Sequence, residues 1–201
     1  STENPDTRVY LYSGQIKPSS YEIGGDDAFE EHIENSSHTL TIDTEGNHFF
    51  AGSVGKSLSL VKKGTGTQRF AGNMSQFNGS IGVFGGKLSI DNGFSASRID
   101  ISNAVLESQG AVDVSELRVE NGSISASALA ASSLNLSGVV EITTDSLTGR
   151  YCSLQLGNEH LEIPLLTVTS DGPCTLELTA CELLFNAEEL YSGAFKLLQF
   201  N

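Results

Sequence analysis

Tryptophan is absent from this 201-residue chain, methionine occurs once, cysteine three times and proline four times. Only 18% of the residues are charged, and 11 Lys and Arg face 25 Asp and Glu, for a net charge of −14. That shortage of cations argues against a nucleic-acid surface, because phosphates are bound by Lys and Arg that displace counterions. It disfavours unassisted contact with anionic lipid for the same reason. The negative balance reads first as solubility through self-repulsion. No stretch approaches the roughly 18 apolar residues of a membrane helix, and the longest apolar run, around Ile163–Val168, contains Pro164. Direct membrane insertion by this chain is therefore not expected. Ser1 stands where an initiator Met would, so a processed form or a segment of a longer chain is expected, with any export signal out of view.

What is plentiful is glycine, 21 residues, accompanied by Ser, Thr and Asn in the polar positions. This is a composition of short strands and tight turns, since Gly takes positive φ and the short polar side chains satisfy local backbone groups. Residues 1–48 are weakly patterned. Arg8–Gly14 alternates like a strand, and Gly24–Asn35 allows a short cap helix with Phe29 and Ile33 on one face. From Phe49 the texture becomes period-two alternation broken by Gly, Asn or Ser. Ile99/Ile101, Leu117/Val119 and Leu134/Leu136 recur at steps of 18 and 17. Each pair is followed by a turn (Ser102–Ala104, Glu120–Gly122, Leu136–Gly138) and a second short strand (Val105–Ser108, Ser123–Ala126, Val139–Ile142). Repeats of this length without long helices predict an all-β solenoid in which each coil covers its neighbour's apolar face. A β-sandwich is the rival architecture. In the glycine-dense stretch Lys62–Ile90 the glycines read as corners, with Phe70, Phe77, Ile81, Val83 and Phe84 as the inward face. The expected layout is an irregular segment 1–48 and a solenoid 49–201, with an apolar cap coil from about 151.

The stretch Phe49–Ile90 closely resembles the passenger-associated repeat of autotransporter proteins. Leu60, Lys62, Gly64, Gly66, Phe70, Gly72, Asn73, Phe77, Gly79, Gly85, Gly86, Leu88 and Ile90 occupy the matching positions, over about a fifth of the chain. Gln68 and Arg69 stand where the pattern more often has Thr-Leu. The C-terminal Tyr191–Asn201 is similar, more weakly, to strands near passenger ends. The resemblance implies a right-handed parallel β-helix, extracellular or displayed at the cell surface and tied to an outer membrane through a region beyond this segment. It implies no particular activity, because such passengers include adhesins, proteases and plain spacers.

Chemistry-bearing motifs are scarce. Gly86-Lys87 is followed by Leu88 rather than Ser or Thr, so there is no P-loop, and no Gly-x-Ser-x-Gly elbow occurs. His32, His38, His48 and His160 are scattered without metal-ligand spacing, and no calcium loop is present. Neither a metal nor another cofactor is expected. Asp91, Asp100, Asp113 and Glu120 would be the carboxylates of a polysaccharide-cleaving β-helix if two of them stood about 5–9 Å apart. Each alternates with an apolar neighbour, which favours a solvated outward position. Cys174 and Cys181 would lie far apart in one straight strand, while Cys152 and Cys174, 22 apart, are close to one coil and within disulfide reach if stacked. Buried, reduced thiols are the leading reading for all three. Asn-x-Ser/Thr triplets at Asn35, Asn73, Asn78, Asn121 and Asn135 are expected by chance in so Asn- and Ser-rich a chain. No catalytic residue is assigned and no binding residue is singled out. The expected function is non-catalytic, adhesive or structural, presenting a polar solenoid face to a host glycan or surface protein. The alternatives are a polysaccharide-active enzyme and a ligand-free spacer.

Overall fold

The computed structural model describes residues 14–16, 28–29, 39–51, 53–54, 58–155, 166–170, 175–184 and 198–200. Among them there is no helix. Sixteen strands form one hydrogen-bonded sheet wound on itself, and β2 (Ala28–Phe29) and β5 (Ser53–Val54) pair separately. Every described pairing is parallel. The protein is a parallel β-helix.

The repeat seen in the sequence is the physical register. β1 (Gly14–Ile16), β3 (Thr39–Asp43), β6 (Ser59–Lys63), β8 (Ser80–Val83), β10 (Phe94–Ser102), β12 (Val112–Ser125), β13 (Leu129–Thr143), β14 (Ser146–Gln155) and β17 (Cys181–Leu184) stack in order. Leu40, Leu60, Ile81, Ile99, Leu117, Leu134, Cys152 and Cys181 stand directly opposite one another from coil to coil. Two residues on, Ile42, Lys62, Val83, Ile101, Val119 and Leu136 form a second column. Ile99, Leu117 and Leu134 are fully buried. The ladder also runs below Phe49, through β3 to β1.

Each coil bends at corners, giving the stack three faces. The first face is made by the starts of β10, β12, β13 and β14, joined by β16 (Thr175–Leu178). The second carries the columns just named. The third is built from β4 (Asn47–Phe50), β7 (Thr67–Phe70), β9 (Lys87–Ile90), β11 (Val105–Ser108), the ends of β12 and β13, β15 (Leu166–Thr169) and β18 (Leu198–Phe200). Its inward residues Leu88, Leu106, Ile124, Ile142 and Val168 are buried. Edge-to-face pairs Phe50–Phe70 and Phe77–Phe94, 5.7 and 6.3 Å between ring centroids, fill the lower core.

The corner between the second and third faces explains the glycine and asparagine pattern. Gly64, Gly86, Asn103, Asn121 and Gly138 all have positive φ there, between 49° and 74°. Gly and Asn tolerate this left-handed backbone best. With the chain so turned, each corner donates to the one below: Lys87 N–H to Gly66 O at 3.1 Å, Val105 N–H to Gly86 O at 3.0 Å, Ser123 N–H to Ala104 O at 3.0 Å. At Asn121 the side chain joins in, its Oδ1 accepting from the Val139 N–H at 3.0 Å. β-structure continues through Glu120–Gly122, which the sequence marks as a turn, with a register shift at that point. This is the work of a bulge, which bends a strand without ending it.

Three expectations need correction. Ala28 and Phe29, inside the segment read as a cap helix, form strand β2 against β5; the rest of Gly24–Asn35 lies outside the described residues. Pairing with a neighbouring coil outweighs weak helical periodicity in so short a segment. Phe84 is not inward but 49% exposed. It follows inward Val83, so alternation turns it out, and its ring lies over Gly82, where a Cβ would meet the ring edge at 2.6 Å. The register partner of Cys152 is Cys181, not Cys174.

Candidate functional site

Polar side chains fall into two groups: those built into the scaffold and those displayed on its faces. Lys62 belongs to the first. It occupies an inward position between Ile42 and Val83 and is 1% exposed. Its Nζ donates to the carbonyl oxygens of Lys63, Gly64 (3.0 Å) and Gly85 (3.4 Å), so the ammonium ties two stacked corners together. Burial lowers its pKa from the ordinary lysine value, and the nearby Asp43 charge opposes that shift. Gln68, also inward, donates from Nε2 to the Arg69 carbonyl at 3.1 Å. Ser108 is buried at a corner and donates to Asn92 O at 3.0 Å; Thr144 likewise donates to Ser146 O at 3.0 Å. These are structural solutions to buried backbone polarity.

The four carboxylates singled out in the sequence are not gathered into one site. Asp91 sits past the end of β9 and takes a two-pronged pair from Arg69, at 2.8 and 2.6 Å. Arg69 in turn lies 5.6 Å from the centre of the Phe49 ring, and its hydrogen bonds to Asp91 hold its pKa above the ordinary arginine value. Asp113 points outward from the first face, opposite Ser95 and Ala130. Asp100 and Glu120 share the second face, offset diagonally across Arg118, which stands opposite Asp100. Both Asp100 oxygens are held by Arg98, at 2.6 and 2.9 Å, and Arg98 also reaches Glu116 at 3.2 Å. Lys87 pairs with Glu107 on the third face.

Above this charged belt hydroxyl and amide side chains become frequent, with Glu141 and Arg150 exposed among them. Ser133, Asn135 and Ser137 line the second face, and Ser125, Thr143 and Thr169 stand in one column of the third. Thr143 and Thr169 hydroxyls are 2.8 Å apart. The first face carries a shallow depression of about 480 Å³, floored by Gly93, Ser95, Asp113, Ala130 and Thr148 with Ser75 at its rim. Small side chains leave this strip low, and Met74 and Phe77 anchor the loop containing Ser75 in the core. Tyr151 is the most exposed large apolar residue described, at 69%.

Of the histidines, only His48 is described; it is partly buried opposite Gln68. Among the described residues no three His, Cys, Asp or Glu are grouped as metal ligands. Asn73, Asn78 and Asn121 are exposed and Asn135 is partly so, while Asn35 and Cys174 lie outside the described residues. Lys62, which sequence reasoning placed only in a repeat pattern, is the structural residue it missed; a lysine at an inward position of period-two alternation was the signal. In class, the fold defines a solenoid scaffold with polar faces. No protein-family model, curated protein sequence or solved structure was found to match the chain.

Proposed function

We propose that this chain is a segment of a surface-displayed or secreted passenger of the autotransporter type. In this reading it does no chemistry and holds a host glycan or surface protein along its hydroxyl- and amide-bearing upper faces. The observation carrying the reading is the third-face column Ser125, Thr143 and Thr169, one hydroxyl per coil at the inter-strand spacing of about 4.8 Å, with Asn135 and Ser153 stacked likewise on the second face. Ser133, Asn135 and Ser137 follow one another along β13 on the second face, above Glu116, Arg118 and Glu120 of the coil below, and Glu141 flanks Thr143 on the third. Single hydroxyl or amide contacts are weak, and a rigid periodic array makes them additive through multivalency. The repeat pattern at Phe49–Ile90 supports the surface setting. Fluorescently labelled protein on an array of mucin-type glycans and matrix proteins tests this: retention weakened by Asn135→Asp together with Thr143→Asp supports it. An empty array favours a spacer.

A polysaccharide-active enzyme is the second reading, and the shared face of Asp100 and Glu120 is what favours it. Turnover of acidic polysaccharide abolished by Glu120→Gln would establish it.

A further inference from the structure

We propose that Cys152 and Cys181 form a redox-operated staple, a disulfide between neighbouring coils that locks the C-terminal part of the solenoid when oxidised and frees it when reduced. The proposal stands apart from the surface-display reading and holds whether or not the faces bind a ligand.

Register carries the argument. β14 and β17 pair in parallel with Cys152 directly opposite Cys181. Adjacent strands lie about 4.8 Å apart, inside the Cα–Cα range of disulfides, about 4.4–6.8 Å. The column that supplies large aliphatic residues at Leu40, Leu60, Ile81, Ile99, Leu117 and Leu134 switches to cysteine in both of its last two described positions.

The surroundings suit a sulfur bridge. Cys152 is 2% exposed, so its sulfur meets an oxidant or reductant only when β17 opens away from β14, its one described ladder neighbour. The missing side chain of Gly149 is what lets the sulfur pack there: a Cβ at that position would stand 2.9 Å from Cys152 Sγ and 3.0 Å from a Leu178 methyl. β17 has β14 as its only described ladder neighbour, so it can tilt inward by the small amount that bonding requires. Ala180, immediately before Cys181, holds a left-handed φ of 50°. That backbone is uncommon for alanine, and the Ala180 carbonyl oxygen accepts from the Cys152 N–H at 3.4 Å.

Oxidation proceeds by thiol–disulfide exchange with a small disulfide such as oxidised glutathione. One cysteine thiolate attacks a glutathione sulfur and releases one glutathione thiolate; the second cysteine thiolate then displaces the other. The two cysteines lose two protons and two electrons, and one oxidised glutathione becomes two reduced ones. The bridge spans the 29-residue step from 152 to 181, far longer than the 18-residue step below it from 134 to 152. A longer closed loop gains more from a cross-link in the chain-entropy account.

The whole chain is equilibrated in glutathione buffers of rising oxidised fraction, remaining thiols are alkylated under denaturing conditions, and the protein is cut after glutamate. Glu159, Glu162 and Glu177 separate all three cysteines into different peptides. The expected product joins the Cys152 and Cys181 peptides and leaves Cys174 alkylated. Oxidised protein is expected to melt about 5 °C or more above the reduced form, a gap abolished by Cys181→Ser and kept by Cys174→Ser. A Cys152–Cys174 link, three alkylated thiols in the oxidising buffers, or coincident melts would overturn the proposal. Should Cys181→Ser fail to fold, peptide mapping of the unmutated chain decides alone.

Discussion

The ammonium of Lys62 reaches from its own coil to the next, where it donates to the Gly85 carbonyl oxygen at 3.4 Å. It stands in an apolar column yet donates to carbonyls of two corners, one of which, that of Lys63, also accepts from the Thr44 N–H at 3.3 Å. Lys62→Met keeps the volume and removes the donor, so buried carbonyls lose a partner. The expected loss is about 1–3 kcal/mol in denaturant unfolding. Because burial lowers the folded pKa of Lys62 below 10.5, the unfolded chain binds more protons in the window just below that value. Stability of the natural protein should therefore rise relative to Lys62→Met as pH climbs toward 10.5. A flat or falling difference curve would contradict the buried placement.

Leu117 is held between Ile99 and Leu134 with no exposed surface. Leu117→Ala should cost about 2–5 kcal/mol, the range for cavity-forming core truncations. In a solenoid each coil contacts mainly its neighbours, so the damage should be local. Hydrogen exchange is expected to speed up most in β10, β12 and β13 and much less in β6. Uniform acceleration along the whole chain would argue for a single global core instead.

Two glycines of one corner should behave differently. A Cβ at Gly66 would fall on the Gly46 carbonyl oxygen of the coil below, which is backbone and cannot step aside. At Gly46 the nearest atom is the His48 ring nitrogen, at 3.3 Å, a side chain free to shift. Gly66→Ala is expected to lower the melting temperature sharply or block folding, and Gly46→Ala to change it by only a few degrees. Equal effects would mean that the corners are not stacked this closely.

Asn121 combines a φ of 49° with an Oδ1 that accepts from the Val139 N–H. Asn121→Ala gives up both and should cost about 1–3 kcal/mol. Asn121→Gly keeps the backbone conformation and gives up only the hydrogen bond, so it should cost less. If the glycine variant proved the worse of the two in chemical denaturation, backbone strain at this corner would not be what asparagine relieves.

Much of the scaffold is legible in the residues alone. Ile99, Leu117 and Leu134 share a column because their 18- and 17-residue steps match the path length of one coil, and Asn103, Asn121 and Gly138 mark its corner. Phe84 misleads because apolarity alone does not say which side of a sheet a residue takes; parity from Val83 does. The candidate carboxylates are legible only as residue types. Whether Asp91 or Asp100 is available for chemistry depends on Arg69 and Arg98, one of them on another coil from its partner.

By itself the sequence determined the repeat length, the inward alternation and the corner residues, because these follow from local backbone sterics and from side chains pointing to alternate faces. The tertiary structure alone decided which residues meet across coils once the steps became unequal. The step from Cys152 to Cys181 is 29 residues, so arithmetic on regular coils points to Cys174 and the hydrogen-bonded register points elsewhere. Inter-coil register is the sum of every turn and excursion in a coil, and only the folded chain performs that sum.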